Sequence, residues 1–131
     1  MKEQEIKQLE ETITKTEGLI LQPTYDMIKD HIRHSNIDRR KWSEDYNCMD
    51  FSVDLMQEFR EEKIYGCIAE LVFEDDTAHA INVFKTEKGI TTYVEPQDDM
   101  IIQGLKEGQD YCEVVDWDCE WTIKKIKHCW K

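Results

Sequence analysis

The spacing of apolar residues changes near residue 63, and this change constrains the fold more than any other feature. Before it, apolar residues recur every three or four positions, as Phe51, Leu55 and Phe59 do, which is typical of a helix with one buried face. From Tyr65 to Phe73 every second residue is apolar, as in a strand. Helices followed by a run of strands predict an α+β protein, with N-terminal helices packed on an antiparallel sheet.

Three helices are predicted in the first half of the chain. An amphipathic helix covers residues 3–21, and a second helix begins after Thr24, which can cap it, and ends at residues 35–36. The third helix covers about residues 48–62. Alternating apolar residues and turn signals then predict strands over residues 65–73, 77–85, 90–95, 100–102, 111–117 and 120–127.

Length and composition fit one folded domain. The chain has 131 residues, of which 40% are hydrophobic, with only two prolines and five glycines. Within a single domain, residues 1–131, we place the N-terminal helices in 1–34, a core that carries the motifs in 42–97 and C-terminal strands in 98–131. The first helix is too short to predict a coiled coil, so a weak dimer through it stays an alternative and the oligomeric state stays open.

The charge of the chain restricts its partners. The formal net charge of −12 repels phosphates and anionic lipid surfaces, so we expect neither nucleic acid nor membrane as a partner. No apolar stretch is long enough to span a bilayer. Because the N-terminus lacks the apolar segment of a secretory signal, we expect a cytoplasmic location.

The cysteines favour a reduced state over a disulfide framework. Their number is odd, and the missing secretory signal favours a compartment in which thiols stay reduced. A zinc site near the C-terminus is an alternative, but no Cys-x-x-Cys pair is present and the adjacency of His128 and Cys129 is unusual for zinc ligands. We therefore expect the C-terminal cysteines to serve as small apolar side chains, and we expect no metal or other cofactor. The five cysteines are Cys48, Cys67, Cys112, Cys119 and Cys129.

Cys48 is the best candidate nucleophile. It lies at the start of the third predicted helix, where Asp45 or Asn47 can cap the first turn. The first-turn amides and the helix dipole stabilise a thiolate there. His79 is the histidine that lies inside a predicted strand, between two alanines that leave room for another element, and imidazole can serve as the base for a thiol.

Glu95 is the best candidate for the acid that orients this histidine. It ends the strand that follows the turn at residues 88–89, and a regular hairpin about that turn brings it near the end of the His79 strand. A carboxylate there can accept the imidazole N–H and stabilise the imidazolium. Asp98 and Asp99 are alternatives for this third position. Taken singly, the three residues also fit a small buried cysteine, a core histidine and an acid at a strand end.

Three short segments resemble motifs of transglutaminase-like proteins. Residues 48–52 (Cys-Met-Asp-Phe-Ser) resemble the Cys-x-Asp-Phe/Tyr-Ala motif of bacterial transglutaminase-like cysteine proteinases. Residues 79–80 (His-Ala) and 94–96 (Val-Glu-Pro) resemble the His-Ala and Asp-Pro segments of transglutaminase-like domains. This resemblance covers residues 42–97 and implies a papain-like (transglutaminase-like) core, in which a helix with the cysteine packs on an antiparallel sheet with the histidine and the acid.

The resemblance also implies a function. Cys48 would attack an amide or ester carbonyl, His79 would protonate the leaving amine, and Glu95 would orient the imidazole. The expectation is a thiol-dependent acyl-transfer enzyme, a cysteine peptidase or amidase that forms a Cys48 thioester on a peptide or protein amide; resolution by an amine would make it a transglutaminase. The alternative is a catalytically inactive relative that serves as a protein-binding or structural module. The family usually has Asp at the position of Glu95 and an aromatic residue at that of Ile81, which favours the alternative.

The donors of an oxyanion hole are the least defined part of the predicted site. The backbone N–H of Cys48 is one natural donor, because it lies at the start of a helix. The loop before it offers a side-chain donor from Trp42, Tyr46 or Asn47. Gln97 is a candidate to orient the acid. A redox role for the thiols is a weaker alternative, because the chain lacks a Cys-x-x-Cys motif.

Overall fold

The central element of the protein is a five-stranded antiparallel sheet, seen in a computed structural model that describes residues 19–130. The spatial order is β4-β3-β2-β1-β5, so the first four strands form a meander and the last strand returns to pair with β1. Strand β2 is therefore central, and both of its faces are buried. The strands are β1 (Cys67–Phe73), β2 (Ala78–Lys85), β3 (Thr91–Glu95), β4 (Met100–Gln103) and β5 (Ile123–Lys127).

Short helices accompany the sheet: α1 (Tyr25–His34), a 3-10 turn (Ile37–Arg39), α2 (Cys48–Glu61) and α3 (Tyr111–Val115). The Thr24 side chain accepts the backbone N–H of Met27 and so caps α1, as predicted. The helix predicted over residues 3–21, with its dimer alternative, lies outside the described residues except for its last three positions. Within residues 19–130, no helix is both long and apolar enough to cross a membrane.

The two faces of the sheet contact different layers of the protein. On one face, aromatic and aliphatic residues of α1 and α2 pack against β2, with Phe51, Leu55 and Phe59 almost fully buried, as their helical spacing predicts. On the other face, β1 and β2 pack against α3 and the C-terminal segment, and Tyr111 is fully buried there. His79 and Glu95, two of the predicted site residues, are therefore buried within this sheet, whereas Cys48 is half-buried.

One predicted strand is a helix. The sequence predicts a strand over residues 111–117, but residues 111–115 form α3. This helix begins after Asp110, whose carboxylate accepts the N–H of Cys112 at 3.0 Å and caps it. The buried residues are Tyr111, Cys112 and Val115, whose spacing fits one helical face. Over so few positions the same apolar residues fit a strand or a helix, and the Asp110 cap favours the helix.

The expectation of reduced cysteines is wrong. Cys112 is bonded to Cys119, and Cys67 to Cys129, across Cα–Cα distances of 5.5 and 6.3 Å. These bonds also take up the sulfur atoms on which a C-terminal zinc site would depend. Among the residues that the structure describes, Cys48 is the cysteine that keeps a free thiol. The cytoplasmic location stays a prediction.

Candidate functional site

Two buried hydrogen bonds fix the first turns of α2 on the central strand. The Ser52 hydroxyl donates to the carbonyl of Ala80 at 3.0 Å, and the Asn82 side-chain amide donates to the carbonyl of Ser52 at 2.8 Å. Because both partners are buried, loss of either bond would leave an unsatisfied polar group in the core. These contacts place the Cys48 end of α2 beside His79, so residues 31 positions apart in the sequence meet.

The Cys48 thiol is half-buried and hydrogen-bonded to the His79 imidazole. Burial raises the pKa of Cys48. The hydrogen bonds from His79 and from the backbone N–H of Ala80, together with the charge on the imidazole, lower it by more, so the net pKa lies below its usual range. Burial has the opposite effect on His79 and lowers its pKa. The hydrogen bonds of His79 to Cys48 and Glu95 outweigh this effect and raise the pKa to about 9. The two shifts favour a thiolate–imidazolium pair near neutral pH.

Glu95 is the acid that contacts this histidine. Its side chain is fully buried at the end of β3, and its Oε1 accepts a hydrogen bond from Nε2 of His79 at 2.5 Å. The same oxygen accepts the Tyr111 hydroxyl at 2.8 Å, and Oε2 accepts the backbone N–H of Gln97 at 3.1 Å. The hairpin of β2 and β3, which pairs Asn82 with Val94, creates this proximity. The carboxylate is thus held by three donors without exposure to water.

Three aromatic side chains that the predicted site did not include surround the His79 ring. The ring centroids of Tyr111, Trp117 and Trp121 lie 5.5, 5.7 and 5.9 Å from that of His79. All three belong to the segment that follows Asp110 and is braced by the disulfide of Cys112. Trp117 lies between Cys112 and Cys119, with Tyr111 and Trp121 just outside them, and this density of aromatic residues is a usable signal, although the apolar alternation there predicts two strands of the sheet.

The remaining predicted site residues have other contacts. The Asn47 side chain accepts the N–H of Met49 at 3.1 Å and caps α2, and Gln97 orients Glu95 through its backbone. The Tyr46 hydroxyl donates to an Asp54 carboxylate at 2.6 Å. Trp42, on the loop before α2, is 53% exposed. The backbone N–H of Cys48 stays a candidate oxyanion donor, and the geometry does not add a side-chain donor to it.

The alternative acids, Asp98 and Asp99, also have other contacts. Asp98 accepts a short hydrogen bond from the indole N–H of Trp117, at the edge of the aromatic group around His79. Burial, followed by the nearby carboxyl group of Asp38, raises the pKa of Asp99 to about 7. Within residues 19–130, no group of His, Cys, Asp and Glu side chains is arranged to hold a metal ion.

A cavity of about 330 Å³ lies between α2 and the β1–β5 side of the sheet. Met49, which follows Cys48 directly, forms part of its wall, whereas Cys48 itself does not line the cavity. Its wall is mixed, with thioethers and a disulfide beside charged side chains, which suits a ligand with both apolar and polar groups. The lining residues are Met49, Met56, Cys67, Ile68, Glu70, Lys127, His128 and Cys129.

Known proteins resemble this chain in structure but not detectably in sequence. Neither protein-family models nor curated proteins match it. A structure titled as a PSL1a–E64 complex is similar with a TM-score of 0.56 and 20% identity over 63% of this chain. A structure of Polyporus squamosus lectin bound to a human-type influenza-binding epitope, Neu5Aca2-6Galb1-4GlcNAc, is similar with a TM-score of 0.55 and 17% identity over 80% of this chain. This chain spans 35% and 37% of those chains, and at such identity the likeness concerns the fold alone.

These comparisons correct the assignment made from the motifs. The similar structures are of a lectin, so the identification as a transglutaminase-like or papain-like cysteine proteinase is wrong, and so is the papain-like (transglutaminase-like) fold class. The fold is a small antiparallel sheet with short helices, shared with part of a lectin chain. The expected peptidase or amidase activity, with its peptide substrate, is corrected for the same reason. Motifs of two to five residues are too short to define a family.

Proposed function

We propose that this chain is a binding module whose ligand is a carbohydrate. The observation that carries the proposal is the pair of partly exposed indoles, Trp117 and Trp121, beside an acidic side chain, Asp98. Their ring centroids lie 6.3 Å apart at an angle of 76°, and Trp121 stacks on Phe73 at a centroid distance of 4.9 Å. The apolar C–H face of a sugar ring packs on an indole, and carboxylates accept sugar hydroxyls.

The charge of the chain favours a neutral sugar. At a formal net charge of −12, a sialylated glycan is repelled, whereas an uncharged disaccharide is not. One similar structure is of a lectin with a bound glycan, and its title names the acidic trisaccharide Neu5Aca2-6Galb1-4GlcNAc. We therefore expect this chain to bind the neutral part, Galb1-4GlcNAc, at least as tightly as the trisaccharide.

Isothermal titration with the two glycans tests the proposal. Trp117→Ala is expected to weaken binding at least tenfold, since aromatic residues at the centre of a binding surface contribute most of the affinity. Trp130→Ala is the matched control, because this indole lies on the C-terminal segment, stacked on His128 rather than beside His79. The absence of binding by a panel of neutral and acidic glycans, or equal loss in both variants, would count against a carbohydrate ligand at this surface.

A second function has its own observation, the contact of Cys48 with His79 and Glu95. We propose that Cys48 is a nucleophilic thiolate that forms a covalent bond with soft electrophiles, that His79 stabilises it, and that Glu95 orients His79. A thiolate is the reactive form of cysteine, and an adjacent imidazolium increases its population at neutral pH. The proposal concerns the reactivity of the sulfur atom alone.

Alkylation by iodoacetamide at several pH values, with the modified residue located by mass spectrometry, tests this second function. Cys48 is expected to react at pH 6, and His79→Ala is expected to move the reaction to above pH 8. Because one similar structure is titled as a complex with E64, E64 is a useful second probe. If Cys48 of the folded chain reacts no faster than a cysteine in a short peptide, the thiolate–imidazolium pair does not form.

A further inference from the structure

Tyr111 makes the closest contact with the Cys48–His79–Glu95 group that the sequence did not predict. Its hydroxyl donates to Oε1 of Glu95 at 2.8 Å, the same oxygen that accepts Nε2 of His79. Both Tyr111 and Glu95 are fully buried, so water does not replace this bond. Burial, together with the Glu95 carboxylate, raises the pKa of Tyr111 far above its usual range, so the hydroxyl keeps its proton at neutral pH.

The position of Tyr111 is fixed from both sides. Its backbone N–H donates to the carbonyl of Trp121 at 2.8 Å, and the Asp110 side chain accepts the N–H of Trp121 at the same distance. The disulfide between Cys112 and Cys119 closes the short segment between them. The backbone hydrogen bonds and the disulfide of this segment therefore position the Tyr111 hydroxyl against Glu95.

We propose that Tyr111 is a positioning residue that keeps the shared proton on His79 by stabilising the ionised carboxylate of Glu95. The inference rests on the thiolate–imidazolium pair of Cys48 and His79 proposed above. A fully buried carboxylate is stable only when donors replace its hydration, and Glu95 has three of them. When one donor is removed, the buried carboxylate is less well stabilised as an anion, so the proton affinity of the His79 ring falls. A larger fraction of the imidazole is then neutral, and the neutral ring does not stabilise a thiolate at Cys48.

The titration of the His79 ring, followed by NMR with labelled histidine, tests this inference directly. The measurement is made on the full chain with Cys48→Ser, so that it does not depend on the reactivity of the thiol. Adding Tyr111→Phe removes one oxygen and keeps the ring, and the pKa of His79 is expected to fall by about one pH unit, a tenfold change in proton affinity. Tyr93→Phe is the matched control, because this buried hydroxyl contacts His128 instead, and it is expected to leave His79 unchanged.

Each result of this experiment has a definite meaning. An unchanged or raised pKa of His79 in a folded Tyr111→Phe protein overturns the inference, and so does an equal shift in the Tyr93→Phe control. A fall confined to Tyr111→Phe supports it, even if alkylation shows Cys48 to be unreactive. In that case the nucleophilic function fails while the positioning role stands. If Tyr111→Phe does not fold, Gln97→Pro is measured instead, which removes the donor to Oε2 and is expected to shift His79 in the same direction.

Discussion

Replacing Glu95 by Gln keeps the shape of a fully buried side chain and removes its charge. The pKa of His79 lies at about 9 in the folded protein against 6.5 for the free side chain, which corresponds to about 3 kcal/mol of stability from its charged form. The hydrogen bond to Cys48 supplies part of that stabilisation, and the ionised Glu95, whose Oε1 lies 2.5 Å from Nε2 of His79, supplies another part. Breaking a buried charge pair costs about 3–5 kcal/mol in general, so Glu95→Gln is expected to destabilise the protein by about 3 kcal/mol at pH 6.

The pH dependence of that loss identifies its cause. Because the folded pKa of His79 is raised, its contribution to stability is complete below pH 6.5 and is lost as the pH rises through about 9. The difference between wild type and Glu95→Gln, measured by urea unfolding with the disulfides intact, should therefore shrink between pH 7 and pH 10. Glu70→Gln is the control, since Glu70 is 43% exposed and lies 3.6 Å from Lys127, and it should change stability by less than about 1 kcal/mol. A difference that is constant from pH 6 to pH 10 would refute the reasoning.

Two further predictions concern the frame that holds the site. A Cβ at Gly66 would lie 2.8 Å from Cδ2 of the buried Phe84 ring, so Gly66→Ala is expected to destabilise the protein by about 1–3 kcal/mol in a thermal or urea unfolding experiment. Replacing both Cys112 and Cys119 by Ser removes a disulfide between residues seven positions apart, which is expected to lower the free energy of unfolding by about 2 kcal/mol. The midpoint of urea unfolding should fall accordingly. An unchanged midpoint would mean that the bond does not restrain the unfolded chain.

Much of the secondary structure was predictable because the spacing of apolar residues and the capping residues indicate the same elements. The spacing of Phe51, Leu55 and Phe59 defines the buried face of α2, and Thr24 marks the start of α1. The sequence failed where a few residues fit two patterns, as in α3, where the Asp110 cap outweighs an apparent alternation. It failed again for the disulfides, since partners that lie 62 positions apart, such as Cys67 and Cys129, cannot be paired from a sequence alone.

The contacts of the candidate site were predictable only in part. Cys48, His79 and Glu95 could be selected because each has a local reason: a helix start, a strand with small neighbours and the end of a hairpin. Their mutual geometry depends on the buried bonds of Ser52, which no local pattern indicates. Tyr111 could not be selected, because its role follows from a loop that returns to the sheet after the meander. The family assignment was wrong because it rested on motifs of two to five residues, which are too short to define a family.

The oxidation state of the chain determines which chemistry its cysteines display. Four of the five thiols form the bonds that brace the α3 segment and the C-terminal residues, and the thiol that remains is the one at the start of α2. The same oxidation that removes competing nucleophiles therefore also holds Tyr111 and the two indoles around His79. Consequently, any measured reactivity of Cys48 and any glycan affinity of the indoles should be compared in the oxidised chain, in which the Cys112–Cys119 bond braces the segment that surrounds His79.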